Sequence, residues 1–256
     1  MSTRIVPIAE NIYGVETECE PGVDVRALLV AGHQITLLID TLNRPADLDP
    51  VADFVASLGR PVWLANSHAD WDHWWGNVRF ADAPIVAHRL TLQRQQREGR
   101  RSLAGKQRKE PGRFDEVILR HATLAWEGEL DLDLGDMSVQ FRFLPGHTHD
   151  CTVAYIPERR LLFAGDTVED PIPLINEGPV GRWAEHLRVW AEQARTVVPA
   201  HGPVTGVDLM LRNAAYLEGL FSQPDRAIPE LASADVFYKR AHRANLRKAA
   251  DEAGRR

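Results

Sequence analysis

Short apolar runs dominate the first third of the chain and read as strands. Val25 to Ala31 and Ile35 to Ile39 form an expected pair joined by a turn at Gly32. Asp49-Pro50 supplies a helix start. Val51, Phe54, Val55 and Leu58 follow at helical spacing, and Gly59 closes the segment. Pro61 to Ala65 is a buried-strand pattern that runs straight into Ser67-His68-Ala69-Asp70-Trp71-Asp72-His73. Ile85 to Ala87, Thr123 to Trp126 and Leu130 to Leu134 are further short strands. Met137, Val139, Phe141 and Phe143 alternate with polar partners up to Pro145-Gly146, the signature of a half-buried strand. Thr152 to Ile156 and Leu161 to Ala164 flank a turn at Pro157.

Beyond Gly165 helices take over. Trp183, Leu187, Trp190, Ala191 and Ala194 share one helical face, Val197 to Pro199 is a last strand, and Leu209 to Leu220 is a helix. The tail after Pro224 predicts a peripheral helix with a frayed end, whose basic stretch from Lys239 to Lys248 is expected in solvent. Between Arg94 and Arg113 the pattern breaks: eight basic residues stand against Glu98 and Glu110 without apolar periodicity. That segment reads as a solvated helix or mobile loop, or as a lid that attracts an anionic substrate. Strands and helices recur in both halves with no Pro/Gly/Ser linker. The expectation is one domain over 1–256, with 206–256 as peripheral C-terminal helices.

Composition narrows the picture only slightly. Hydrophobic residues at 44% and charged residues at 26% suit a globular protein with a real core. A net charge of -6 and a pI near 5.9 argue against broad nucleic-acid binding. The two cysteines, Cys19 and Cys151, imply no disulfide framework. The N-terminus lacks the apolar core of a signal peptide and no run is long enough for a membrane helix, so a cytoplasmic location is expected.

The chemistry is concentrated at strand ends. His68, Asp70, Asp72 and His73 crowd two imidazoles and two carboxylates into one turn, an arrangement that is costly without a cation. Three later turns, Gly146-His147-Thr148, Gly165-Asp166-Thr167 and Ala200-His201-Gly202, each add one ligand type beside a small residue that leaves room for a metal. Seven candidates are too many for one tetrahedral ion and suit two ions that share a bridging carboxylate.

In these four motifs and their order, and in the Ile12-Tyr13-Gly14 and Ile39-Asp40-Thr41 segments, the chain resembles the metallo-β-lactamase superfamily. The resemblance implies an α/β fold, a four-layer αββα sandwich of two similar halves, with metals at one edge between the sheets. It assigns His68, Asp70 and His147 to a first metal and Asp72, His73 and His201 to a second, with Asp166 bridging; Asp72 and Asp166 are also the carboxylates expected to serve catalysis. It implies two divalent ions, with zinc the leading candidate, and hydrolysis of a small-molecule ester, thioester, lactone or amide by a metal-bound hydroxide.

Asp70 departs from the family, which normally has His there. An extra carboxylate weakens Lewis acidity and favours harder ions, which admits iron or manganese and an alternative iron oxidoreductase activity. A non-catalytic metal- or ligand-binding protein is a third reading. Of Trp71, Trp74 and Trp75, at least two are expected in the core, with one free to wall a pocket. His149 is expected to be an exposed turn residue. Asp40 is expected to brace the metal loop through backbone amides rather than to ligate.

Overall fold

The computed structural model describes residues 3–232, 234 and 236–254; the outermost ends of the expected 1–256 domain lie outside them. Among these, the apolar runs become twelve strands in two sheets. The first sheet follows chain order: β1 (Arg4–Ala9), β2 (Ile12–Glu20), β3 (Val23–Ala31), β4 (Thr36–Ile39), β5 (Val62–Asn66), β6 (Ile85–His88) and β7 (Leu124–Trp126). Its first four strands are antiparallel hairpins, and β4 to β7 are parallel. The second contains β8 (Glu129–Asp133), β9 (Ser138–Phe143), β10 (Thr152–Ile156), β11 (Leu161–Gly165) and β12 (Thr196–Pro199), in the order β12-β11-β10-β9-β8. Only its β11–β12 pair is parallel.

The alternation read from the sequence decides which side chains fill the space between the sheets. Ile12, Leu28, Val30, Leu37 and Ile39 from the first sheet meet Val139, Phe141, Ala154, Phe163 and Val198 from the second. The opposite face of the first sheet packs on α1 (Asp49–Leu58) through Val51 and Val55. The outer face of the second packs on α4 (Val180–Gln193) and α5 (Val207–Ser222) through Trp183, Leu187, Met210 and Leu217. Two sheets back to back with helices outside give the expected αββα order. No helix among the described residues is long and apolar enough to cross a membrane.

Two segments behave differently from their sequence pattern. The basic segment as far as Lys109 lies in α3 (Arg89–Lys109), whose buried residues are Thr91, Arg94, Gln95 and Gly99, and its end at Arg113 lies in the turns that follow. They fall on one face, but most of that face is polar, so hydrophobic periodicity could not register it. Gln95 Nε2 donates to Asn66 Oδ1 (3.0 Å) and Thr91 Oγ1 to the Asp150 carbonyl (3.1 Å), so the helix docks by hydrogen bonds. The C-terminal helix α6 (Val236–Ala253) is also anchored: Asn245 is buried and binds the Pro173 carbonyl and the Ile175 amide. Lys248, expected in solvent, donates to the carbonyls of Ile175 and Asn176 (2.5 Å each). The tail thus fixes the loop that follows Asp166.

Candidate metal centre

All four turns singled out in the sequence converge at one edge of the sandwich. β5 delivers His68 and Asp70 and leads into the short helix α2 (Trp71–Trp74), which carries Asp72 and His73; β9, β11 and β12 deliver His147, Asp166 and His201. Ligand atoms of His68, Asp70, His147 and Asp166 lie within 4.8 Å of one another, as do those of His73, Asp166 and His201. Asp166 belongs to both groups. Asp72 groups with His201 and with Cys19, a residue that no sequence motif places here.

The four histidines are oriented alike. His73 Nδ1 donates to Asp40 Oδ2 (2.8 Å), His147 Nδ1 to the Leu174 carbonyl (2.8 Å) and His201 Nδ1 to the Asp24 carbonyl (2.9 Å). His68 Nδ1 lies 3.1 Å from Ser67 Oγ, which itself donates to Asp40 Oδ2 (2.7 Å). Each ring is therefore held by Nδ1 and turns Nε2 inward, the arrangement that presents a lone pair to a cation. Inside, Nε2 of His68 and of His73 and Oδ1 of Asp166 are buried without a hydrogen-bond partner. Three orphaned atoms facing one space, in a His and carboxylate donor set, fit divalent cations.

Asp40 is the hub behind the site. Its carboxylate also accepts from the Ser67 amide (2.7 Å), which braces the metal loop as its strand-end position suggested. Its backbone is left-handed, φ 66°, a strained conformation for a residue other than glycine. The glycine beside His147 has a different role from the one expected. A Cβ on Gly146 would lie 2.4 Å from the Trp183 ring, so its bareness admits tryptophan packing rather than a metal.

The electrostatics are those of a pocket seeking positive charge. Burial would lower the His147 pKa, but the hydrogen bond to Asp70 and the charge of Asp166 outweigh it and raise it to about 9. Burial likewise opposes ionisation of His73 and His201, yet Asp166 foremost, with Asp72, holds both well above the ordinary range. Burial would raise Asp70 and Asp166, but the neighbouring histidines hold both carboxyls well below theirs.

Asp70 has a partner that linear spacing could not reveal. Arg94 from α3 donates from Nη2 to Asp70 Oδ1 (2.5 Å) and from Nη1 to Asp150 Oδ1 (3.1 Å). Asp70 Oδ2 is the inward oxygen, 3.0 Å from His147 Nε2 and 3.7 Å from His68 Nε2. The extra negative charge is thus partly offset by one guanidinium, shared with the fully buried Asp150. The basic segment meets the site through Arg94, while Lys106 sits over the Trp71 ring, 3.6 Å from its centroid, and pairs with Glu20.

A cavity of about 240 Å³ adjoins the cluster, with Asp70, Trp71, Arg94 and Asn176 in its wall. All three tryptophans line it; Trp74 and Trp75 are 1% exposed and belong to the core, while the half-buried Trp71 is the most exposed of the three. Asn176 places Nδ2 3.1 Å from His147 Nε2 and also lines an open groove of about 510 Å³ toward α6. No sequence signal marks Asn176. Glu169, also unforeseen, is buried, accepts from the Tyr238 hydroxyl (2.9 Å) and is pushed up to about 7 by burial. His149 pairs with Glu177 (2.7 Å) on the surface, and Cys151 is buried beside Thr148.

A family model described as metallo-beta-lactamase superfamily matches residues 21–205. Among solved structures, a metallo-beta-lactamase from Pontibacter korlensis superposes with a TM-score of 0.71 at 19% identity, over 85% of this chain and 99% of that one. A metallo beta lactamase from Erythrobacter litoralis gives 0.67 at 20%, over 85% and 96%. FIM-1 from Pseudomonas aeruginosa, in a mono-zinc form, gives 0.66 at 18%, over 85% and 96%. No curated protein matches the chain.

Proposed function

The chain belongs to the metallo-beta-lactamase superfamily, and from that premise we propose that it is a two-metal hydrolase of a small-molecule ester, thioester, lactone or amide. The observation that carries this reading is the set of four inward Nε2 atoms, each ring held from behind, around Asp70, Asp72 and Asp166. His68, Asp70 and His147 would hold one cation, Asp72, His73 and His201 the other, and Asp166 would serve both. Bound divalent cations supply an activated water at neutral pH and polarise the scissile group. Zinc suits the imidazole-rich donor set, and the charge argument for a harder ion is reduced by Arg94.

The chain's own residues supply positioning. Asp72 Oδ2 lies 3.4 Å and Asp166 Oδ1 3.6 Å from His201 Nε2, and in this reading the two carboxylates would orient the attacking water. The Asn176 amide, now 3.1 Å from His147 Nε2, would donate instead to a substrate carbonyl oxygen at the mouth of the site once His147 Nε2 is taken by a cation. The cavity beside Trp71 falls below the ~300–1,000 Å³ of drug-sized pockets, which favours a small acyl group there and the leaving group in the groove beyond Asn176.

The test is a panel of thioesters, lactones, carboxylic esters, amides, phosphodiesters and β-lactams assayed after reconstitution with zinc, iron or manganese. Zinc-dependent turnover of a carbonyl substrate is expected. Asp166→Ala and His147→Ala should each reduce kcat/KM by at least about 10²-fold. Full activity in both variants would overturn the site, and oxygen consumption by an iron form would favour the oxidoreductase reading.

A further inference from the structure

Cys19 lies near the end of β2, 2% exposed, with no nucleophile motif around it. Its Sγ, a carboxylate oxygen of Asp72 and a ring nitrogen of His201 are all within 4.8 Å of one another. The rigidity of the hairpin makes this approach a built feature. Arg26 Nη1 donates to the carbonyls of Pro199 (2.8 Å) and Gly202 (2.7 Å), and the Arg26 amide donates to the Ala200 carbonyl (2.8 Å). His201 Nδ1 returns a bond to Asp24, and Arg113 donates to the Cys19 carbonyl. Strands β2 and β3 are thus clamped onto the turn that carries His201.

A second observation points to a ligand at the same place. His73 Nε2 and Asp166 Oδ1, buried, 3.3 Å apart and each without a hydrogen bond, group with the same His201. The thiol itself donates to the Val23 carbonyl at 3.3 Å, a weak S–H bond that leaves the sulfur's lone pairs free for a cation. We propose that Cys19 is a ligand of the second cation position, its sulfur joining Asp72 and His201.

This inference rests on the metal-centre reading above and adds a donor to it. On ligation the S–H bond breaks, the sulfur keeps the electron pair for the metal, and the proton leaves to solvent; release of the ion reverses both changes. Burial foremost, and then the charge of Asp72, push the free thiol up to about 12, so without a cation the sulfur is neutral. An adjacent dication inverts that preference. The two positions then differ in kind. The first has a carboxylate, Asp70, where the family has an imidazole, and the second gains a thiolate, a soft ligand that draws zinc more than manganese.

The test uses the full-length protein stripped with a chelator and titrated with cobalt(II). Wild type and Cys151→Ser should take up the ion and show a near-ultraviolet thiolate-to-cobalt charge-transfer band with the second equivalent. Cys19→Ser and Cys19→Ala should bind the first equivalent normally, lack the band, and hold the second at least about 10-fold more weakly. Should those variants fail to fold, X-ray absorption of the zinc-loaded wild type and Cys151→Ser decides: a sulfur shell at about 2.3 Å is expected in both. Cobalt bound with visible absorption but no charge-transfer band, a band that survives Cys19→Ser, or zinc without sulfur neighbours would overturn the inference alone. Failure to bind cobalt or zinc at all would overturn it together with the hydrolase reading.

Discussion

Replacing Arg94 by Met keeps an unbranched aliphatic stem and removes the charged head, and the structure sets what that should cost. The Arg94 side chain is 10% exposed and bridges Asp150 (0%) and Asp70 (17%). With charge centres about 4 Å apart, each pair is worth roughly 4 kcal/mol at an effective dielectric of 20. Glu98, at 38% exposure, is largely screened by solvent and contributes little. Burial would lower the Arg94 pKa, yet Asp70 and Asp150 raise it, which fits a guanidinium bound by both. The desolvation already incurred by Asp150 is not recovered when its partner leaves, so the net loss should be about 3–5 kcal/mol. The assay is urea unfolding of chelator-stripped protein followed by tryptophan fluorescence. Metal loading should return part of the loss, because a cation can replace the guanidinium at Asp70 but not at Asp150. A cycle with Asp70→Asn should show coupling of at least about 1.5 kcal/mol. A loss below about 1 kcal/mol, or additivity within about 0.5 kcal/mol, would refute the bridge as an electrostatic element.

Other perturbations separate positioning from packing. Glu169 is held at about 7 in the folded protein against an ordinary 4.5, so the folded state binds its proton more tightly than the unfolded chain. Stability from this group is therefore present below about 4.5 and lost as pH rises to about 7. Glu169→Gln should accordingly stabilise the metal-free protein by up to about 3 kcal/mol above pH 7 and hardly at all near pH 4.5. Equal shifts in Tm at both pH values would argue against it. Asp40→Ala releases His73 Nδ1 and the Ser67 amide, and should weaken metal binding by about 10–100-fold in a chelator competition; unchanged affinity would remove Asp40 from the site. Trp71→Ala should raise KM at a stability cost below that of Trp74→Ala, which creates a core void costing about 3–5 kcal/mol. The reverse order of stability costs would show that Trp71 is core rather than wall.

Much of this protein was legible in its sequence. The strand runs, the helix opened by Asp49-Pro50 and the face formed by Trp183 and Leu187 follow from local patterns, because burial on one face of an element imposes a period on the chain. The candidate ligands were readable for a related reason. His68, His147, Asp166 and His201 each occupy a turn at the end of an apolar strand, and such turns collect along one edge of an α/β layer. Tertiary structure alone decided which side chains surround them. Arg94 reaches Asp70 from a helix docked through Thr91 and Gln95, polar contacts that leave no mark on hydrophobic periodicity. Asn176 reaches His147, and Tyr238 reaches Glu169, only because α6 and its approach pack on the loop after Asp166. Cys19 and His201 stand far apart along the chain, and what joins them is the Arg26 clamp between β3 and the last strand's turn. A donor's residue type and its place after a strand are local properties written in the chain. The charge beside it depends on long-range packing, which no local period encodes.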